Sequence, residues 1–151
     1  MRQENWSVRK LRKLLDNKIA AVENVMREGL ESASTDYCRF FEWKAAYLYK
    51  GELLRGHYRL LRNKVSRTDD VEDLKKRQNV CLDTLLRQDI AARSTSPMAN
   101  MAHTLRLECV QQLVEDYGHF IRILADTLRQ QETRRDTRTL REKENRRGPK
   151  L

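Results

Sequence analysis

The sequence predicts an all-α fold: an antiparallel, up-down-up-down four-helix bundle with a basic C-terminal helical extension or tail. Three observations carry this. Apolar residues recur at helical spacing through four long stretches. The 151 residues include only 5 Gly and 2 Pro, with neither Asn-Gly nor Asp-Gly, so the turn chemistry of an all-β domain is missing. A hydrophobic fraction of 39% beside a charged fraction of 35% suits long amphipathic helices. The same features also allow an extended arrangement, in which long helical hairpins or a coiled coil complete their core with a partner chain.

The first helix is expected over residues 6–31, where Val8, Leu11, Leu15, Ile19, Val22, Met26 and Leu30 form one stripe. It is expected to give out in GLESASTD, where Gly29 weakens helicity and Ser32, Ser34, Thr35 and Asp36 offer capping oxygens. The second covers 36–65, with Phe40, Trp43, Tyr47, Leu54, Tyr58, Leu61 and Val65 as its core stripe. That stripe leaves Phe41 and Tyr49 as the outward-facing rings. The third is expected over 69–93, opened by Asp69 and Glu72 in the form of a capping box, with Gln78 at one core position. The fourth covers 97–128. Ser96 serves as its cap and Pro97 as its first residue, where a missing N–H does no harm. Residues 1–128 therefore form the domain, and 129–151, with only Leu140 and Leu151 as large apolar residues, lie outside the core.

Charge is unevenly placed on a chain of net +9. Residues 37–68 hold eight Lys/Arg against two Asp/Glu, and 129–151 hold nine against four. Residues 69–128 are acidic, with seven against ten. On the second helix Lys44, Arg55, Arg59 and Arg62 fall within about 60° of one another at ~100° per residue. They form a basic ridge beside the aromatic stripe. Such a ridge suits phosphates or an acidic protein surface, or it pairs internally with the acidic third helix. In the tail, Arg134, Arg135, Arg138, Arg146, Arg147 and Lys150 form a second basic set with the composition of a nuclear-import or nucleic-acid patch. The final Pro-Lys-Leu departs at its first position from a peroxisomal Ser-Lys-Leu.

Catalysis finds little support. His57, His103 and His119 are scattered over two helices, and Glu115 with His119 supplies too few ligands for a metal. No phosphate loop or nucleophile turn is present, and no cofactor is implied. Cys38, Cys81 and Cys109 form no CxxC pair and are expected as small core residues in a reducing compartment. With no long apolar run and no secretory leader, the expectation is an intracellular, cytoplasmic chain, with the basic tail compatible with the nucleus.

Two functions are compatible with these features. One is a non-enzymatic assembly or adaptor protein that binds a partner chain or a second copy of itself, its ridge and tail docking on an acidic surface. The other is sequence-independent binding of RNA or DNA through Lys44, Arg55, Arg59, Arg62 and the tail. The absence of any nucleic-acid-reading motif tilts the expectation to assembly.

Overall fold

A computed structural model describes residues 6–87 and 96–146, and everything described is helix or short connection. The helices are α1 (Trp6–Thr35), α2 (Tyr37–Trp43), α3 (Ala45–Arg67), α4 (Val71–Leu86) and α5 (Pro97–Arg146). No described helix is long and apolar enough to cross a membrane.

α1 packs most closely on α3, and α4 on α5; α5 then touches both α3 and α1. Direction follows from the pairs that meet. Arg12 reaches Val65 and a side chain on Gly51 would meet Met26, so α1 and α3 are antiparallel. Lys50 meets Glu108 and Tyr58 meets Asp116, so α3 and α5 run parallel. The core gathers in one half of the molecule, from Leu11 and Leu15 of α1, Leu61 and Val65 of α3, Leu74 and Leu85 of α4, and Leu113, Phe120 and Leu124 of α5. In the other half, around the end of α1 and the start of α3, burial thins to Met26, Gly29, Phe40 and Gly51.

Several expectations are corrected. The second helix is two. Lys44 leaves helical geometry at φ −122° and ψ −19°, while the bonds Lys44 N to Phe40 O (2.7 Å) and Leu48 N to Lys44 O (3.1 Å) carry the chain across the kink. The kink turns Phe40 toward α1, where its ring lies 3.8 Å from where a Gly29 Cβ would stand. Gly29 therefore does not end α1 but admits α3 and Phe40 close to it, and the helix runs on to Thr35. Asp36 caps α2 by accepting from Arg39 N at 3.1 Å. The cap of α4 is Asp70, one residue later than expected, because its carboxylate accepts from both Glu72 N (3.1 Å) and Asp73 N (3.2 Å). α4 begins at Val71, and the expected stretch to Arg93 passes outside the described residues after Arg87. Ser96 caps α5, accepting from Ala99 N at 3.3 Å. Beyond Leu128 α5 continues as one helix to Arg146, the helical extension of the two alternatives, with residues 129–146 all exposed.

Burial also departs in places. Cys109 is buried and Cys81 half-buried, but Cys38 is exposed on α2. Gln78 holds its expected core position on α4, fully enclosed, with both amide atoms unpartnered. Trp43 and Tyr47, both expected in the core, are 71% and 61% exposed, whereas Tyr49, expected outside, is half-buried.

Candidate docking surface

The expected ridge is brought together on α3, but its arginines already have carboxylate partners. Arg62 forks onto Asp16 of α1 at 2.7 and 3.4 Å, Arg59 pairs with Glu23 of α1, and Arg55 pairs with Glu52 one turn away at 2.7 Å. Arg62 also donates to Ser66. These partners come from α1 and α3, not from the acidic α4. The ridge thus straddles the α1–α3 seam, each exposed pair adding roughly 0–1 kcal/mol. Lys44 stands apart at the α2–α3 kink, exposed, beside Trp43. Arg134, Arg135, Arg138 and Arg146 are all exposed on the α5 extension; Arg147, Lys150 and the Pro-Lys-Leu end lie outside the described residues.

The surface that sequence reasoning missed is apolar. A groove of about 460 Å³ opens between α1, α3 and α5, walled by Val22, Val25, Tyr47, Leu54 and Cys109. It runs on through Val25 and Tyr47 into a second hollow of about 300 Å³ that reaches Trp43 and Leu48. Burial pushes the Cys109 thiol above its ordinary range, so this wall is a poor nucleophile. Lys50 and Glu108 pair across the rim at 2.9 Å.

The groove exists because a core face outlasts its neighbours. Tyr47, Tyr58 and Val65 fall within about 20° of one another on the α3 wheel at ~100° per residue. Tyr58 and Val65 are buried, but Tyr47, at the open groove between α1 and α5, is exposed. Beside it, Val25 of α1 is exposed. Tyr37 and Phe41 stack on each other at 6.4 Å on the far flank of buried Phe40. Contiguous exposed apolar surface of this kind marks an interaction site.

A polar junction closes the groove's inner end. Asp116, only 5% exposed on α5, accepts from Tyr58 Oη, from Gln112 Nε2 at 3.1 Å and from Lys18 Nζ at 3.3 Å. Burial first, and then the bond to Asp116, push the Tyr58 phenol well above its usual range. The neighbouring Tyr117 is pushed up to about 12, mainly by burial. Tyr58, Gln112 and Lys18 all donate to the one carboxylate, so the junction ties α1, α3 and α5 together. Glu115 and His119 are exposed, and among the described residues no group of three or more His, Cys, Asp or Glu is placed to hold a metal.

Comparison with protein-family models, with curated proteins and with solved structures finds no match, and the functional reading rests on this geometry.

Proposed function

We propose that the chain is a non-enzymatic assembly or adaptor protein: an up-down-up-down helical bundle left open at one end, where an amphipathic partner helix completes it. The observation that carries the reading is the exposure of Tyr47, which shares the core-facing side of α3 with buried Tyr58 and Val65, and of Trp43 beside it at the end of the apolar groove. A partner helix laid along Val22, Val25, Tyr47 and Leu54 buries them in the helix-in-groove manner. Large aromatic anchors in such a pocket are the side chains that dominate binding energy. The basic ridge on the α1–α3 seam and, at the other end of the molecule, the tail then favour a partner with acidic groups. Phosphate binding by the ridge instead requires breaking the pairs of Arg59 with Glu23 and Arg62 with Asp16, an exchange that assembly does not need.

Light scattering and crosslinked capture from the producing cells, run on wild type and on a W43S/Y47S double variant, test this. The expected result is a protein complex or homo-oligomer for wild type that the double variant loses while keeping its helical circular dichroism. A monomeric wild type whose captured set the double variant reproduces overturns the reading.

A further inference from the structure

At the other end of the molecule a second core face outlasts its neighbours, and there it turns basic. On α5 the buried side chains Cys109, Leu113, Asp116, Phe120, Ile123 and Thr127 follow one another at alternating four- and three-residue steps. The same row continues past the body as Gln131, Arg134, Arg138, Arg141 and Asn145, all exposed. At ~100° per residue Arg134, Arg138 and Arg141 span about 60°, within the sector that Asp116, Phe120 and Ile123 occupy upstream. No acidic residue of the extension falls in that sector. Glu132, Asp136 and Glu144 lie off it, and Glu142 stands at its edge, accepting from Arg138 Nε at 3.3 Å. Arg141 was not among the residues singled out from the sequence, because its place in the row appears only when α5 is known to be unbroken.

We propose that this strip docks an acidic α-helix, whose carboxylates at four- and three-residue steps pair with Arg134, Arg138 and Arg141. A helix is the matching shape. The three arginines rise by about 6 and 4.5 Å along the axis, and carboxylates on a second helix at the same steps rise by the same amounts. Planar guanidinium forks grip carboxylates in two places. An apolar partner is disfavoured because Leu140, the one large apolar side chain of the exposed stretch, lies on the opposite side. Nucleic acid fits less well. Its charge is spread along both strands, about one per 1.7 Å of duplex. It would meet the carboxylate of Glu142 at the edge of the strip and those of Asp69, Asp70 and Glu72 beside Gln131, where the extension leaves α4. The strip rests on the assembly reading by naming the chemistry of one partner, but it uses a surface separate from the Trp43–Tyr47 groove.

The test uses the full chain and a labelled alanine-rich helical peptide of about 20 residues. One form carries glutamates at alternating four- and three-residue steps; a second carries the same glutamates spread around the helix. Duplex DNA and RNA serve as the other arms, all at about 50 mM salt, where exposed pairs are weakly screened. The expected results are binding of the first peptide at least about tenfold tighter than the second, and loss of about tenfold or more in R134E/R138E/R141E. R129E/K143E, on the opposite face, is expected to change affinity less than about twofold. All these side chains are exposed, so the variants are expected to keep the wild-type melting curve. The proposal is overturned by no binding of the first peptide, by equal binding of both, by equal loss in the opposite-face variant, or by tighter binding of duplex than of peptide. W43S/Y47S is expected to bind the peptide as wild type does, so failure of the strip and failure of the groove are separately visible.

Discussion

Tyr58 of α3 donates its phenolic hydrogen to Asp116 of α5, and the bond marks the boundary between the packed half of the molecule and the open one. On one side lie Leu61, Val65, Phe120 and Leu124; on the other Gln112 begins the groove. Because Asp116 is buried, its donors are what make it tolerable there. Y58F removes one of three donors and is expected to cost about 1–2 kcal/mol in urea unfolding. D116A strands the Tyr58 hydroxyl and the Lys18 ammonium and is expected to cost about 2–4 kcal/mol. A D116A variant as stable as wild type contradicts the role given to the junction.

The two buried phenols set an alkaline limit. Their folded-state values lie above the ordinary 10, with Tyr117 pushed up to about 12. Their contribution is therefore full below pH 10 and falls above it because unfolding releases the proton, that of Tyr117 being lost as pH rises through about 12. Urea midpoints measured from pH 9 to 11.5 are expected to fall above about pH 10, and Y117F to fall less steeply. A Y117F slope equal to wild type contradicts this.

Glycines in α3 separate two kinds of site. A Cβ on Gly56 meets nothing within 4 Å, so G56A is expected to gain about 0.5–1 kcal/mol from helix propensity alone. A Cβ on Gly51 stands 3.1 Å from Met26 Cγ, so G51A is expected to fall short of G56A by about 1 kcal/mol in the same denaturation series. Equal gains would mean that α1 and α3 do not approach as closely as described.

The exposed rings are expected to be neutral for folding. W43A and Y47A should each lie within about 0.5 kcal/mol of wild type, while F40A and L61A should cost about 2–5 kcal/mol. A large loss for W43A in unfolding experiments would place its ring in a core.

Periodicity made the helices legible because each has a sustained apolar face: α1 as far as Met26, the Tyr58–Val65 part of α3, and the Leu113–Leu124 part of α5 lie where the spacing puts them, whereas Leu30, expected on the same stripe of α1, is exposed. The cap at Ser96 was legible for the same local reason, while at α4 two adjacent aspartates left the register open by one residue. What spacing does not encode is whether a neighbour reaches a given face. Tyr47 has the helical position of a core residue but lines an open groove; Arg134, Arg138 and Arg141 hold core positions on a helix that has left the body. Trp43 was misplaced for a different reason: the kink at Lys44 breaks the wheel on which it was counted. The partners of Arg59 and Arg62 were likewise out of reach, since Glu23 and Asp16 are joined to them only by the antiparallel pairing of α1 and α3.

The central claim, that the face around Tyr47 is a docking surface, is tested most directly by placing a photo-crosslinking amino acid at position 47 and, as a control, at exposed position 119 on α5. Irradiation in the producing cells is expected to give a discrete adduct to a protein, or to a second copy of the chain, at 47 and not at 119. No adduct at 47, or the same adducts at both positions, would contradict it.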